Sequence, residues 1–136
     1  MMKLDHFAFE VSDLQASTEF YCQNLGFRVH SSFVDENVHE TLVVLETDGG
    51  KLELIQVLDE HNQPKPFEPV AVRPHFCPHL ALETADFDGF LAQARSRGLK
   101  VAQGPLEIPG LVKWLYLADP DENMIEIFQM FGVPNP

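Results

Sequence analysis

The chain has 136 residues, of which 45% are apolar and 22% are charged, enough for one domain with a buried core. Asp and Glu number 21 against 9 Lys and Arg, so the formal net charge of −12 argues against binding to nucleic acid or to an anionic membrane. No apolar run has the length of a membrane span, and residues 1–6 lack a signal-peptide stretch, so a cytoplasmic protein is expected. Cys22 and Cys77 are expected to be free thiols.

The sequence repeats itself with an offset of 73 residues. LDHFAFEVSDL, which begins at Leu4, aligns with CPHLALETADF, which begins at Cys77. Near the end of each copy, KLELIQ aligns with MIEIFQ. This alignment pairs His6 with His79 and Glu53 with Glu126, and the interval from His to Glu is the same in both copies. A duplicated structural unit explains both coincidences.

The first copy predicts a strand, a helix and three further strands. The first strand covers residues 4–11, and the helix begins after Ser12, whose side chain would form a capping box with Gln15. The helix should bury Leu14, Ser17, Tyr21 and Leu25 and end at Gly26. The remaining strands are expected near 27–34, 39–47 and 51–58, separated by the turns DEN and TDGG.

The second copy predicts the same order of elements. Its first strand covers residues 77–84, and its helix should end at Gly98 after burying Phe87, Phe90, Leu91 and Ala94. Further strands are expected near 99–103, 112–118 and 123–130, with GPLEIPG and ADPDEN as the turns before the last two. The prediction is a single α+β domain of two βαβββ modules in tandem, which form a cupped mixed sheet with the helices outside. Module 1 would cover 1–58, a Pro-rich linker 59–76 and module 2 77–136.

Strand alternation predicts that the repeated His and Glu share the face opposite the helix. On the first strand, His6, Ala8 and Glu10 would point one way, and Phe7, Phe9 and Val11 would point towards the helix. The same alternation separates His79 from Leu80, Glu53 from Leu52 and Leu54, and Glu126 from Ile125 and Ile127. One His or Glu in a strand is usually structural. Two imidazoles and two carboxylates at equivalent points suit a divalent cation with one or two positions open to substrate oxygens. The unmatched His30, His39, His61 and His75 are expected on the surface or in the linker.

The repeat and its ligand set resemble the vicinal oxygen chelate superfamily, which includes glyoxalase I, extradiol dioxygenases and the bleomycin-resistance proteins. The stretch DHFAFEVSDLQASTEFYCQNLGFRV is similar to the opening strand and helix of that family, and YLADPDENMIEIF resembles its closing strand pair. The ligand set His6, Glu53, His79 and Glu126 looks most like bacterial glyoxalase I, a nickel, cobalt or zinc lyase acting on the hemithioacetal of glutathione and methylglyoxal.

The resemblance implies a lyase or isomerase that moves a proton beside a metal-chelated carbonyl or hydroxyl through an enediolate. Glu126 would be the catalytic base, and Glu53 would be a ligand and possible return partner for the proton. The residues expected to contact the substrate are Trp114, Tyr116, Phe128 and Glu10. A homodimer is also implied.

The chain departs from glyoxalase I at two positions. Glu10 stands where that family has an arginine for a glutathione carboxylate, and Val57 stands where it often has an asparagine. Another substrate with vicinal oxygens is therefore considered alongside glutathione. Two other functions stay open: an Fe(II) extradiol dioxygenase, for which Tyr116 lies ten residues before Glu126, and a non-catalytic binder of the bleomycin-resistance type.

Overall fold

The computed structural model describes residues 1–133, which divide into two compact units, one covering 1–69 and the other beginning at Val70. Each unit contains one α-helix and a four-stranded mixed sheet, which confirms the predicted α+β fold with two βαβββ modules. The expected linker, 59–76, contributes residues to both units. Residues 134–136 of the predicted second module lie outside the described residues. Within residues 1–133, no helix is long and apolar enough to cross a membrane.

The first unit contains β1 (His6–Glu10), α1 (Leu14–Leu25), β2 (Arg28–Asp35), β3 (Glu40–Thr47) and β4 (Gly50–Val57). Its strands lie in the order β1-β4-β3-β2. β1 runs parallel to β4, and the other neighbours are antiparallel. The helix between β1 and β2 packs on the sheet and contacts β2, β3 and β4.

The second unit contains a 3₁₀ turn (Pro74–Phe76), β5 (Leu80–Glu83), α2 (Phe87–Ser96), β6 (Val101–Ile108), β7 (Val112–Ala118) and β8 (Met124–Met130). The strand order is β5-β8-β7-β6, with β5 parallel to β8. This is the topology of the first unit, strand for strand.

The repeat extends to the hydrogen bonds of the two units. Gln56 Oε1 accepts from the amide of Leu14 at 3.4 Å, and Gln129 Oε1 accepts from the amide of Phe87 at 2.9 Å. Both glutamines thereby satisfy a helix N-terminus, where amide groups have no partner inside the helix. Leu14 and Phe87, like Gln56 and Gln129, are separated by the 73-residue offset of the sequence repeat. The two equivalent hydrogen bonds therefore confirm the predicted duplication.

Each sheet buries the apolar face that strand alternation predicts. Leu45, Leu52 and Leu54 are fully buried in the first unit, and Leu115, Leu117 and Ile125 are fully buried in the second. Burying such a side chain contributes about 1.5–3 kcal/mol relative to leaving it exposed. The helices add Ser17 and Tyr21, and Phe87, Leu91 and Ala94, whereas Leu14, Leu25 and Phe90 are only half-buried. On β1, Phe9 is buried and Phe7 is 37% exposed, and Val11, which follows the strand, is buried.

The start of α1 differs from the sequence prediction. Asp13, not Ser12, is the N-cap, and its Oδ1 accepts from the amide of Ala16 at 3.1 Å. Gln15 Nε2 donates instead to Glu19 within the helix, so the predicted capping box does not form. Asp86 caps α2 in the same way as Asp13 caps α1.

The helix C-termini follow the prediction. Gly26 and Gly98 have φ of 73° and 66°, in the left-handed region that favours glycine.

The predicted turn GPLEIPG is mostly strand. β6 continues through Ile108, and only Pro109 and Gly110 form a turn. The strand register shifts between Gln103 and Leu106, where Gly104 and Pro105 stand. Because β6 is an edge strand, it tolerates a proline that cannot donate to the ladder.

Candidate metal-binding site

In the first unit, the sheet brings His6 and Glu53 together on the face opposite α1. The parallel register places Ala8 opposite Glu53, so the side chain of His6, two residues earlier on β1, shares the face of Glu53. His6 Nε2 lies 3.6 Å from Glu53 Oε2. The predicted pair is therefore in contact, at side-chain exposures of 43% and 20%.

Asp5 and Lys51 fix the orientation of the His6 ring. Asp5 Oδ2 lies 2.9 Å from His6 Nδ1, and Asp5 Oδ1 accepts from Lys51 Nζ at 2.9 Å. The hydrogen bonds from Lys51 and His6 lower the pKa of Asp5 from 3.8 to about 2, so the carboxyl is ionised at neutral pH and can only accept. Nδ1 of His6 consequently carries a hydrogen, and Nε2 is the ring nitrogen that faces Glu53.

The second unit contains the equivalent pair, in closer contact. His79 Nε2 lies 3.1 Å from Glu126 Oε2, and both side chains are less than a quarter exposed. His79 Nδ1 donates to the main-chain carbonyl of Phe76 at 3.0 Å, because a carbonyl oxygen can only accept. Nε2, the other ring nitrogen, faces the Glu126 carboxylate within hydrogen-bond distance.

The donors of both pairs fit a divalent cation. In each pair an imidazole Nε2 faces a carboxylate oxygen, and both are atoms that bind divalent cations once the nitrogen has no hydrogen. In each pair the other ring nitrogen is already held by an oxygen acceptor, as is usual for histidines that bind metals. Within residues 1–133, no group of three or more His, Cys, Asp and Glu side chains forms a metal-binding cluster. Each unit therefore contains one His–Glu pair, which is half of the predicted ligand set.

Aromatic side chains surround the pair of the second unit. Tyr116 lies opposite Glu126 in the β7–β8 ladder, and its ring contacts the edge of His79 at a centroid distance of 5.3 Å. Phe76 stacks on Tyr116 at 4.7 Å. Burial, and then the charge of Glu126, raises the pKa of Tyr116, so its hydroxyl stays protonated and can donate. Tyr116 is thus beside the predicted base, while its role in binding substrate stays a prediction.

The other predicted substrate contacts lie on the same faces. Trp114 pairs with Phe128 one step along the β7–β8 ladder, and both are half-buried. Glu10 lies in the first unit, exposed and opposite Ile55, four residues from His6 and so about 13 Å along the strand.

The four unmatched histidines lie outside both pairs. His30, His61 and His75 are exposed, as expected. His39 is half-buried, and its Nδ1 lies 2.7 Å from Asn62 Oδ1.

Three groups that act on the pairs are absent from the sequence prediction: Asp5, Lys51 and the carbonyl of Phe76. The Asp-His dipeptide at residues 5–6 was the only available signal for the first, and a main-chain carbonyl leaves none.

The family model for the Glyoxalase/Bleomycin resistance protein/Dioxygenase superfamily matches residues 3–127. The chain belongs to this superfamily. The match spans both His–Glu pairs, so the superfamily assignment covers the two units together.

Proteins with different names and roles are similar to this chain. Virulence protein STM3117 of Salmonella typhimurium is 28% identical over 134 residues, which cover 93% of this chain and 83% of that protein. The structure of TnmS3, an antibiotic binding protein from Streptomyces sp. CB03234, matches with a TM-score of 0.67 and 25% identity over 96% of this chain and 97% of that one. Glyoxalase I of Leishmania major matches with a TM-score of 0.73 over 95% of this chain and 87% of that one, and at 21% identity it shows the fold alone.

Proposed function

We propose that the chain is a divalent-metal-dependent lyase or isomerase of the glyoxalase I type, which moves a proton between adjacent carbons of a small molecule with vicinal oxygens. The observation that carries this proposal is the pair of equivalent His–Glu contacts, each with its imidazole Nδ1 held and its Nε2 facing a carboxylate. His6, Glu53, His79 and Glu126 are the proposed ligands. Their two carboxylates balance the charge of a divalent cation, and four protein ligands leave positions for substrate.

A divalent cation bound by these ligands would supply Lewis acidity, which stabilises negative charge that develops on substrate oxygens. Glu126 is the proposed base that removes the proton from carbon, and its half-buried position limits competition from water. Tyr116, protonated and opposite Glu126 on the ladder, can donate a hydrogen bond to a substrate oxygen. Glu53 is the proposed second carboxylate, which serves as ligand and as return partner for the proton.

Nickel, cobalt or zinc is the proposed metal, since neutral imidazole and carboxylate ligands suit all three. Glu10 places a negative charge where an arginine would hold a glutathione carboxylate, so the natural substrate is proposed to differ from the glutathione hemithioacetal. A cytoplasmic homodimer stays a prediction from composition and family resemblance.

The test is turnover of three hemithioacetals by metal-free protein reloaded with Ni²⁺, Co²⁺ or Zn²⁺. Methylglyoxal is combined with glutathione, coenzyme A or 2-mercaptoethanol, and thioester formation is followed by NMR in deuterated water. The proposal predicts metal-dependent thioester from at least one of them, abolished in Glu126→Gln and retained in Glu83→Gln. Glu83 is a matched control because it is a glutamate on β5, the strand that follows His79. It lies opposite Phe128 in the β5–β8 ladder and not opposite Glu126. No metal-dependent turnover of any of the three would contradict it.

The similarity to TnmS3 and the stacked rings of Phe76 and Tyr116 favour one second candidate, a protein that binds an aromatic small molecule without turnover. That function predicts ligand binding that is unchanged by chelators and by Glu126→Gln.

The dioxygenase alternative rests on Tyr116 beside Glu126 and predicts oxygen uptake with a catechol and Fe(II). Glu53→Gln separates it from the lyase. A His–His–Glu triad keeps its metal in this variant, and a four-ligand site loses affinity.

A further inference from the structure

A second feature of the second unit is a cavity of about 500 Å³ that is open to solvent. It is lined by residues of the segment 70–76, together with Glu122 and Met124. The lining combines apolar side chains, Val70 and Val72 among them, with the charged side chain of Arg73. Cavities of this size and mixed character bind small molecules.

The cavity adjoins the His79–Glu126 pair through two residues. Phe76 lines the cavity, stacks on Tyr116 and accepts the hydrogen bond of His79 through its carbonyl. Met124 also lines the cavity, and it stands two residues before Glu126 on β8, so both side chains point to the same face of the sheet. A single ligand can therefore contact both the cavity and the pair.

The charges of the cavity favour an anion. The carboxylate of Glu122 is occupied, because Lys100 Nζ donates to both of its oxygens at 2.6 and 2.7 Å. The guanidinium of Arg73 makes no hydrogen bond or ion pair with any residue among 1–133. A guanidinium binds carboxylate or phosphate through two parallel hydrogen bonds. Arg73 is exposed at the open side of the cavity, so an anionic group of a ligand can reach it, and in a chain of net charge −12 its positive charge attracts such a group.

We propose that this cavity binds the anionic end of the substrate, a carboxylate or phosphate held by Arg73, while the reacting carbons of the same molecule lie at the His79–Glu126 pair. This inference rests on the proposed function for the reacting end. It narrows the substrate class to acid-bearing compounds with vicinal oxygens. It also assigns anion recognition to the second unit.

The experiment measures binding of three unreactive probes by calorimetry, separately from turnover. S-methylglutathione carries carboxylates, S-methyl-coenzyme A carries phosphates, and 2-(methylthio)ethanol is neutral. The proposal predicts that Arg73→Met weakens one of the two anionic probes about tenfold or more, the effect of losing a charge-assisted contact, and that Arg73→Lys weakens it less. Arg95→Met is the matched control, because Arg95 lies on α2 and its loss changes the net charge equally.

If Arg73→Met weakens binding of S-methylglutathione, the ligand group is a carboxylate. If it weakens binding of S-methyl-coenzyme A, the ligand group is a phosphate. The proposal is overturned if neither anionic probe binds more tightly than the neutral one, or if Arg95→Met weakens binding as much as Arg73→Met. Arg73-dependent binding without metal-dependent turnover would support the cavity assignment and contradict the lyase. Turnover of all three hemithioacetals at equal rates, unaffected by Arg73→Met, would support the lyase and overturn the cavity assignment.

Discussion

Removal of the Asp5 carboxylate should weaken metal binding although Asp5 is not a proposed ligand. In Asp5→Ala, His6 loses the acceptor that lies 2.9 Å from its Nδ1, so its Nε2 is no longer held facing Glu53. Loss of such an orienting partner typically costs 10- to 100-fold in metal affinity. Because the side chain of Asp5 is 63% exposed and water can replace part of the bond, we expect about tenfold.

The loss has a second component from Lys51. Lys51 lies opposite His6 in the ladder and donates to Asp5, so Asp5→Ala leaves an uncompensated positive charge beside the proposed cation. Asp5→Asn keeps an acceptor for His6 but removes the charge. The double variant Asp5→Ala, Lys51→Met removes both charges and should recover part of the affinity.

Zn²⁺ affinity is measured by isothermal titration of metal-free protein, with circular dichroism to show that each variant is folded. Glu10→Ala, which removes an exposed acid of β1, is the matched control and should bind Zn²⁺ as the unmodified chain does. The reasoning is refuted if Asp5→Ala binds within twofold of the unmodified chain, or if Glu10→Ala loses as much affinity.

Three further predictions concern stability. The pKa of Asp5 is lowered from 3.8 to about 2 in the folded chain, so its ionised carboxylate stabilises the fold fully above about pH 4. This stabilisation is lost as the pH falls towards 2. The urea midpoints of the unmodified chain and of Asp5→Asn should therefore converge between pH 4 and pH 2. Gln129→Ala loses a 2.9 Å and a 2.8 Å hydrogen bond and should lower the free energy of unfolding by about 1–2 kcal/mol, more than Gln56→Ala with its single 3.4 Å bond, as urea titration can check. Gly104→Ala should cost about 1–3 kcal/mol in the same assay, because φ is 106° and the added Cβ would lie 2.9 Å from Leu115 Cβ; an unchanged midpoint in either variant contradicts its prediction.

The fold could be predicted from the sequence because the same pattern occurs twice. Alternation of Leu52, Glu53 and Leu54 assigns a strand and its buried face, and the second copy repeats the assignment independently. The helix start could not be read with the same accuracy. Ser12 and Asp13 are adjacent and both cap helices well, so only the backbone decides that Asp13 accepts from Ala16.

The prediction of a turn at GPLEIPG is wrong for a related reason. Gly and Pro usually end a strand, but on an edge strand a register shift accommodates both, and edge position depends on the sheet order.

The His–Glu contact within each unit also followed from the sequence, because a parallel pair of strands with equal spacing brings the two side chains to one face. What holds them did not follow. The carbonyl of Phe76 is a main-chain group, which no residue type in the sequence indicates. Arg73 lies in the Pro-rich segment 59–76, for which the sequence predicts only a linker.

The central claim is that the two His–Glu pairs form one metal site, and metal stoichiometry tests it most directly. Protein reconstituted with Zn²⁺ and freed of excess metal by gel filtration is analysed by mass spectrometry for bound zinc per chain. If the four residues bind a single ion, we expect one ion per chain, lost in His6→Ala and equally in His79→Ala, and kept in Glu83→Gln. Two ions per chain, or an ion that survives loss of either histidine, would contradict it.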